Sequence, residues 1–396
     1  MKKNILKFFL LSFILLSLGC AESSIFQPIP LNANPPVLAQ PIFMAIDETT
    51  ARGYLINSNN QVEWANASLM VLNLSNPVAP TVVKAVELQN FSGQAVYDPV
   101  AKLLYITNRF DENLGIAVNQ IFVVNVDESS PNFLTMSQFT SEPNPFGITT
   151  DGTNLYTANT ATLNLFPKAD LSHRSFVEFN IQTTSGTIPI TENTREVAIS
   201  PTGQFLFVSN QDDVLLILDK TQIPQPDPTL EVTSGGSEAV DYVVSNTIST
   251  FGIASDANYV YVVQANPNML QILTDRTLPV VAGPPQQILL SSVAVAQVPL
   301  GEGPQEIALD TVNGRAYVPN AFDNTLSVID TTLFAEVARI IIPNTEPDQF
   351  PEGPFPFGVS VGHFGGVPFV YVLNQNTNNI SIINGSTLTF VGNFPQ

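Results

Sequence analysis

The sequence predicts an all-β chain built from repeated units of four short antiparallel strands. The first reason is a recurring strand that carries an aromatic residue and ends in asparagine, as in RAYVPN at 315–320 and FVYVLN at 369–374. The second reason is that apolar residues show no convincing spacing at three and four positions, which disfavours helices. A period of about fifty residues with short alternating strands is typical of a β-propeller.

Seven copies of the recurring strand set the number of units. Their aromatic residues are separated by 51, 51, 51, 54, 56 and 54 positions. These aromatic residues are Tyr54, Tyr105, Tyr156, Phe207, Tyr261, Tyr317 and Tyr371. The asparagine three positions later is Asn57, Asn108, Asn159, Asn210, Asn320 or Asn374, and Gln264 replaces it in the fifth copy. The sequence therefore predicts a seven-bladed β-propeller of four-stranded antiparallel blades over residues 41–396.

Each predicted blade begins with a short apolar strand that ends at a turn. In five copies the turn residue is aspartate, whose carboxylate accepts a hydrogen bond from the backbone two residues further on. These residues are Asp47, Asp98, Asp151, Asp256 and Asp310. We expect the recurring asparagine to form a turn as well, because Asn tolerates left-handed backbone conformations. Blades in a ring bury both faces, so we expect closure by face packing, aided by residues 24–38.

The N-terminal segment MKKNILKFFLLSFILLSLGC predicts a secretory signal peptide. It has a basic start and an apolar run from Phe8 to Leu18, which is shorter than the roughly 20 residues of a membrane-spanning helix. Gly19 and Cys20 resemble the lipobox of bacterial lipoproteins, although Ser17 and Leu18 stand in the reverse of its usual order. The alternative is an ordinary secretory signal that ends near a buried cysteine.

The lipobox resemblance implies a domain order and a location in the bacterial cell envelope. Residues 1–19 would be removed, Cys20 would carry lipid, and residues 20–40 would form a Pro-rich tether. Ala21 follows the cysteine, which under the enterobacterial sorting rule implies the outer membrane. The net charge of −20 disfavours nucleic acid as a partner and disfavours adhesion to anionic membranes through basic patches. The lipid at Cys20 is therefore the expected membrane contact.

The recurring strand, followed by a strand such as NTLSVID, resembles the YVTN-repeat β-propellers of bacterial and archaeal surface and periplasmic proteins. The resemblance covers residues 41–396 and implies the propeller fold. It implies no single function, because members of that family serve as surface-layer modules, binding proteins and companions of redox enzymes.

Residues suited to catalysis are scarce. The only two histidines, His173 and His363, lie far apart in sequence, and we interpret both as exposed loop residues. The chain has no C-x-x-C-H haem motif and no glycine-rich phosphate loop. Acidic loops at 109–115, 210–214 and 321–325 lack the spacing of a calcium-binding loop and are interpreted as turns. No catalytic residue, cofactor or metal ion is therefore predicted.

One segment resembles the repeat of lactonase-type seven-bladed propellers, in which an Arg-His pair opens the inner strand and Glu follows the asparagine. In TREVAISPTGQFLFVSNQ at 194–211, Arg195 matches, but Glu196 replaces the histidine and Gln211 replaces the glutamate. We interpret this as shared ancestry without the activity. Arg195, Glu196 and Glu306 are expected at one mouth of the central channel, either as part of a binding site or as solvated charge at its rim.

The sequence favours a non-enzymatic binding scaffold whose ligand is a protein or a glycan. Insertions at 168–191, 221–250 and 275–303 lengthen units three to five, and loops on a rigid scaffold commonly carry binding sites. Trp64, the only tryptophan, is either an exposed recognition anchor or packed over a neighbouring blade.

The rival hypothesis is an envelope hydrolase of lactonase type that uses the channel mouth. An enzyme requires a compact cluster of ionisable groups with perturbed pKa values in a pocket. A binding scaffold requires an exposed aromatic or apolar patch.

Overall fold

The computed structural model of the chain describes most residues between 27 and 395. The described ranges are 27–61, 63–89, 91–110, 119–183, 186–189, 194–211, 214–234, 242–245, 249–278, 286–290 and 293–395. Within these ranges the chain forms 32 β-strands and no α-helix, with a short 3₁₀ turn at Lys220–Gln222. Cys20 and the predicted signal peptide lie outside the described residues.

Seven sheets form seven blades, each with four antiparallel strands in chain order. Blades 1 and 2 contain β1 (Pro41–Asp47), β2 (Arg52–Asn57), β3 (Ala67–Asn73) and β4 (Thr81–Leu88), then β5 (Phe91–Asp98), β6 (Leu103–Phe110), β7 (Gln120–Asn125) and β8 (Met136–Thr140). Blade 3 contains β9 (Ile148–Thr150), β10 (Asn154–Asn159), β11 (Thr162–Pro167) and β12 (Arg174–Glu178). A separate hairpin, β13 (Asn180–Thr183) and β14 (Gly186–Pro189), follows blade 3.

The remaining four blades repeat the same order. Blade 4 contains β15 (Thr194–Ile199), β16 (Phe205–Asn210), β17 (Leu215–Asp219) and β19 (Tyr242–Ser245), with β18 (Val232–Ser234) inserted between its last two strands. Blade 5 contains β20 (Thr250–Ser255), β21 (Val260–Ala265), β22 (Asn268–Leu273) and β24 (Ala294–Pro299), with β23 (Gln286–Leu289) inserted likewise. Blades 6 and 7 contain β25 (Ala308–Asp310), β26 (Arg315–Asn320), β27 (Thr325–Asp330) and β28 (Ala335–Ile341), then β29 (Pro356–Phe364), β30 (Val367–Asn374), β31 (Asn379–Asn384) and β32 (Thr389–Phe394). The predicted all-β, seven-bladed architecture is thus confirmed.

The first strand of each blade lies innermost, since β1 packs beside both β5 and β29, and β15 packs beside β9 and β20. We call the face where these inner strands begin the upper face. The recurring strands run in the opposite direction, so their asparagines also lie at the upper face. The inner strands end at the aspartate turns, which mark the lower face. At Asp47, for example, the Thr49 N–H donates to the carboxylate over 3.0 Å, as the turn prediction requires.

The hydrophobic core is divided among the blade interfaces. Each of seven buried clusters lies between two neighbouring blades, with Phe146 of blade 3 added to the cluster of blades 1 and 2, and together they run around the ring. All seven recurring aromatic residues are buried in them. Because one four-stranded sheet cannot cover both its faces, this packing explains why the sequence needs every unit to close the ring.

Blades 7 and 1 close the ring by packing face to face. Their shared cluster includes Tyr371 and Leu55, and the Ser360 hydroxyl donates to the Met44 carbonyl over 2.6 Å. The segment before β1 contributes as well, because Leu38 is buried in the same cluster and the Gln40 N–H donates to the Asn378 side chain over 2.7 Å. The described part of the predicted tether, residues 27–40, therefore packs against these two blades.

The recurring asparagines do not form left-handed turns, so that part of the prediction is wrong. None of the six has a positive φ, and all are buried. In blade 6 the Asn320 amide donates to the hydroxyls of Thr325 and Ser327, each over 2.9 Å. The left-handed residue of this loop is Asn324, with φ of 53°. The recurring asparagine likewise joins the second and third strands through side-chain hydrogen bonds in blades 1, 2, 3 and 7.

The predicted insertions in units three to five contain strands that the sequence pattern did not reveal. Each includes the outermost strand of its own blade, namely β12, β19 and β24. In addition, β18 pairs in parallel with β12 of blade 3, and β23 pairs in parallel with β19 of blade 4. These fifth strands cover sheet edges that would otherwise present unpaired backbone groups. Part of each of the last two insertions, at 221–250 and 275–303, thus reinforces the preceding blade.

Charged side chains link neighbouring blades at the lower face. Lys168 of blade 3 pairs with Asp98 of blade 2, and Lys220 of blade 4 pairs with Asp151 of blade 3 over 2.7 Å. Each lysine is the first residue after the third strand of its blade. The aspartate turns therefore serve blade-to-blade contacts as well as their own hairpins.

His363 is a further link at the lower face, and its interpretation as an exposed loop residue is wrong. It lies in β29, with Nδ1 at 2.9 Å from Glu48 of blade 1 and Nε2 at 3.0 Å from Asp310 of blade 6. Burial acts to lower the pKa of His363, but the hydrogen bond to Glu48 and the charges of Asp310 and Glu48 outweigh it and raise that pKa. His363 thereby joins three consecutive blades across the ring closure.

Candidate functional site

A repeated Phe-Gly pair brings aromatic rings to the axis of the propeller at the upper face. It occurs as Phe146-Gly147, Phe251-Gly252 and Phe357-Gly358, at the start of the inner strands of blades 3, 5 and 7. At each glycine the next blade approaches closely, since a Cβ on Gly147 would lie 2.5 Å from the Glu196 Cα and one on Gly358 would lie 2.3 Å from the Ile42 carbonyl oxygen. Only glycine fits these approaches, which fix the positions of the preceding phenylalanines.

Arg195 lies within this set of rings. Its guanidinium carbon is 4.9, 5.0 and 5.2 Å from the ring centroids of Phe146, Phe251 and Phe357. Each distance is in the range of a favourable cation–π interaction. The side chain of Arg195 is only 12% exposed. Arg195 and the three phenylalanines therefore close the upper end of the channel.

Two carboxyl groups lie directly beneath Arg195. Its Nη2 atom is 3.4 Å from Glu306 Oε1, and its Nε atom is 3.7 Å from Glu196 Oε1. Glu196 Oε2 accepts a hydrogen bond from the Ile253 N–H over 2.9 Å, and Glu306 Oε2 accepts one from the Gln94 amide over 3.3 Å. The structure thus brings together Arg195, Glu196 and Glu306 as the sequence predicted. Their alternative interpretation as solvated rim charge is wrong, because both glutamates are buried.

Burial determines the protonation behaviour of this cluster. Loss of water raises the pKa of Glu196 well above its ordinary value, and the neighbouring charge of Glu306 raises it further. The charge of Arg195 and the Ile253 N–H oppose this rise without cancelling it. Glu196 and Glu306 therefore form a buried carboxyl pair in which Glu196 holds its proton more tightly than an ordinary glutamate does.

Arg109 of blade 2 extends the cluster, and sequence reasoning missed it. Its guanidinium carbon lies 4.6 Å from the Phe146 ring centroid, and its Nε donates to the Asn144 side chain over 3.3 Å. Burial and the positive charge of Arg195 lower the pKa of Arg109 to about 10, so it stays charged at neutral pH. The signal that could have revealed this group is the Phe-Gly repeat, which marks the axis.

A channel cavity of about 370 Å³ extends from the carboxyl pair toward the lower face. Its polar lining comes from Gln94, Thr149, Thr150, Ser255 and the two glutamates. Its remaining walls are mostly aliphatic side chains of the inner strands, and Arg195 and the three phenylalanines lie outside its lining. This volume is sufficient for a small organic molecule.

Phe322 at the upper face is a second candidate, also missed from sequence. Its side chain is 68% exposed, and its ring centroid lies 6.0 Å from that of Phe355. The loops that carry the two rings are tied together, because the Asn324 amide donates to the Glu352 carbonyl and Asn324 Oδ1 accepts from the Phe355 N–H, both over 2.9 Å. We call Phe322 and Phe355 the aromatic pair. Its position is fixed although its surface is open to solvent.

The other predicted candidates are more ordinary. Trp64 is half-buried, its backbone is held on both sides by the Asn59 side chain, and its indole N–H is buried without a partner among the described residues. His173 lies beside Asp170 in a loop, with Nδ1 at 2.7 Å from the carboxylate. Neither histidine belongs to the channel cluster. Of the three acidic loops, only that at 321–325 is described in full.

The described residues contain no group of three or more His, Cys, Asp or Glu side chains placed to hold a metal ion. No helix in the described part of the chain is long and apolar enough to cross a membrane.

Comparison with known proteins identifies the fold. No family model and no curated protein matches the chain. A hydrazine synthase structure from Kuenenia stuttgartiensis is similar with a TM-score of 0.59 and 14% identity, over 88% of this chain and 96% of that one. The Cps50 (Swd1) β-propeller domain of Myceliophteria thermophila is similar with a TM-score of 0.57 and 8% identity, over 87% of this chain and 96% of that one. At such identities the likeness concerns the fold alone, and the chain is a seven-bladed β-propeller.

The raised pKa of Glu196 predicts how the stability of the fold depends on pH. Because the pKa of Glu196 is raised in the folded state, folding binds a proton that the unfolded chain releases, and stability falls as pH rises from the unfolded value toward the folded one. Glu196→Gln keeps the acceptor for the Ile253 N–H and removes the charge. We expect this variant to melt at a higher temperature than the parent near pH 8 and to lose less stability between about pH 5 and about pH 8.

The control for this measurement is Glu87→Gln on β4, where the carboxylate is exposed. It should leave the pH profile of the melting temperature unchanged. A Glu196→Gln variant that is less stable than the parent at pH 8 would show that the ion pair with Arg195 outweighs the cost of burying the charge.

Proposed function

We propose that this chain is a non-enzymatic binding scaffold of the YVTN-repeat type, held on the bacterial cell envelope by lipid at Cys20. In this proposal residues 1–19 are the lipoprotein signal, residues 20–40 connect the lipid to the propeller, and the outer membrane is the destination. The upper face binds a protein or a glycan. Three features support this proposal: the signal-like N-terminus, the sequence of the recurring strand and the surface of the folded blades.

The observation that carries the binding role is the exposed position of Phe322. A large aromatic side chain that is held rigidly and left open to solvent is typical of a recognition anchor, since it loses little conformational entropy on binding. Neighbouring Glu302 and Glu352 are exposed, and Glu302 supplies the carbonyl that accepts from the Phe322 N–H over 3.0 Å. An aromatic ring among carboxylates suits a partner with basic side chains, which would stack on the ring and pair with the two glutamates.

A hydrolase remains the second candidate, and the carboxyl pair in the channel is the observation that favours it. A buried carboxyl whose pKa is raised is the kind of group that serves in general acid–base catalysis. Three features favour binding instead. Arg195 is surrounded by three aromatic rings, both histidines lie elsewhere, and Glu196 stands where the lactonase-type pattern has histidine.

Affinity capture with the full-length protein tests the binding role. We expect a partner from envelope extract to be retained by the parent, and its retention to fall about tenfold or more in Phe322→Ala, because truncating a central aromatic anchor removes much of the binding energy. The matched control is Leu333→Ala, which removes a 70% exposed side chain from the lower face of the same blade. It should capture the partner as the parent does. Equal retention by both variants would exclude the aromatic pair as the binding surface.

A further inference from the structure

The channel cavity has the charge and lining of a site for a small cation. Among the described residues that line it, Glu196 and Glu306 are the only titratable ones. With both carboxyl groups ionised, their two negative charges exceed the single positive charge of Arg195. The chain as a whole carries a net charge of −20, which raises the local concentration of cations and lowers that of anions.

One atom of this site lacks a donor. Glu196 is 3% exposed, and its Oε1 atom accepts no hydrogen bond from any described residue. A buried carboxylate oxygen without a donor costs free energy, so a ligand that donates to it would be favoured. Arg195 Nε is 3.7 Å away, with its guanidinium among the phenylalanine rings, and Glu196 is one of the residues that line the cavity.

The cavity is far larger than a bare ion requires. Its volume of about 370 Å³ greatly exceeds the roughly 30 Å³ share of a water molecule, and Ile148, Ile253 and Val359 contribute apolar walls. Hydroxyl groups of Thr149 and Ser255 supply further acceptors. A ligand that combines a cationic head with a short alkyl chain matches this arrangement of charge and apolar surface.

We propose that the channel cavity binds a small primary ammonium ion, whose head is held by the carboxyl groups of Glu196 and Glu306 and whose alkyl chain lies along the inner strands. An ammonium group has three N–H donors and no acceptor, so it satisfies Glu196 Oε1 and a Glu306 oxygen together. Lactones and esters have no N–H or O–H donor and do not satisfy these atoms.

Binding of the ammonium ion releases a proton. The groups that face Glu196 are Arg195 on its own strand, Glu306 before β25 and the Ile253 N–H of blade 5, with Arg109 beyond the Phe146 ring. Of these only Glu306 adds negative charge. Because the pKa of Glu196 is raised, the proton that it holds leaves when the cation arrives, and affinity rises with pH.

Isothermal titration of the full-length protein with n-butylammonium chloride at constant ionic strength tests this site. We expect saturable binding that weakens about tenfold per pH unit on the acidic side of the Glu196 transition, with proton release measured in two buffers of different ionisation enthalpy. Glu196→Gln and Glu306→Gln should each weaken binding about tenfold or more, while the exposed control Glu87→Gln should not change it. Neutral n-butanol should not bind.

Each opposite result overturns the proposal. These results are absence of binding by butylammonium to the parent protein, equal binding of n-butanol, and binding that is independent of pH. Binding of calcium in place of butylammonium would reassign the cavity to a metal ion. If either glutamine variant fails to fold, as judged by its melting curve, proton release by the parent protein still decides the outcome.

Discussion

Replacing Tyr317 with alanine is expected to lower the free energy of unfolding by about 3–5 kcal/mol, as for other large aromatic deletions from a core. Tyr317 is fully buried in the cluster between blades 6 and 7, where it packs with Val328 and Val370. Alanine would leave a cavity at an interface that the ring needs for closure. Chemical denaturation monitored by circular dichroism measures the change.

Two further variants, one at position 320 and one at position 317 itself, serve as comparisons. Asn320→Ala should cost about 2 kcal/mol, because the buried hydroxyls of Thr325 and Ser327 lose their donor. Tyr317→Phe should cost much less than Tyr317→Ala, since it keeps the buried ring in the blade interface. If Asn320→Ala proves more damaging than Tyr317→Ala, the assignment of Tyr317 to the blade interface is wrong.

Replacing Cys20 with alanine is expected to move the protein from the membrane fraction to the soluble fraction. Lipid at this residue would anchor the chain through its acyl groups, each buried CH₂ of which contributes about 0.8 kcal/mol. Lipid at Cys20 is the proposed anchor. Fractionation and mass spectrometry of the N-terminal peptide measure the change.

The matched control for the anchor is Ser23→Ala, which lies in the same segment but outside the lipobox residues. This variant should remain membrane-bound and keep its lipid. Sedimentation of Cys20→Ala with membranes, to the same extent as the parent, would refute the lipid assignment.

The blade count could be read from the sequence because it depends on repetition. Tyr54 to Tyr371 recur at nearly constant spacing, and each ring must be buried for its blade to pack. Strand direction followed from the aspartate turns, which are local hydrogen-bonded structures. The role of Asn320 was not predictable in the same way. Its partners Thr325 and Ser327 lie on the next strand, so its buried hydrogen bonds become apparent only when that strand is placed.

The candidate site was predicted only in part, because it depends on contacts between blades. Arg195, Glu196 and Glu306 were expected near one another, since equivalent positions of different inner strands meet at the axis. Their burial depends on Phe146 and Phe251, which come from two other blades, and no local pattern reports such an approach. The fifth strands β18 and β23 were missed for the same reason, as each pairs with a blade other than its own.

Turnover assays of the purified full-length protein with lactone, ester and phosphoester substrates test the central claim, binding without catalysis, most directly. We expect rates that do not exceed background and that are the same for the parent and for the double variant Arg195→Ala with Glu196→Ala. Robust turnover by the parent that this double variant abolishes would contradict the account, because a carboxyl pair that serves only binding and closure of the channel could not produce it.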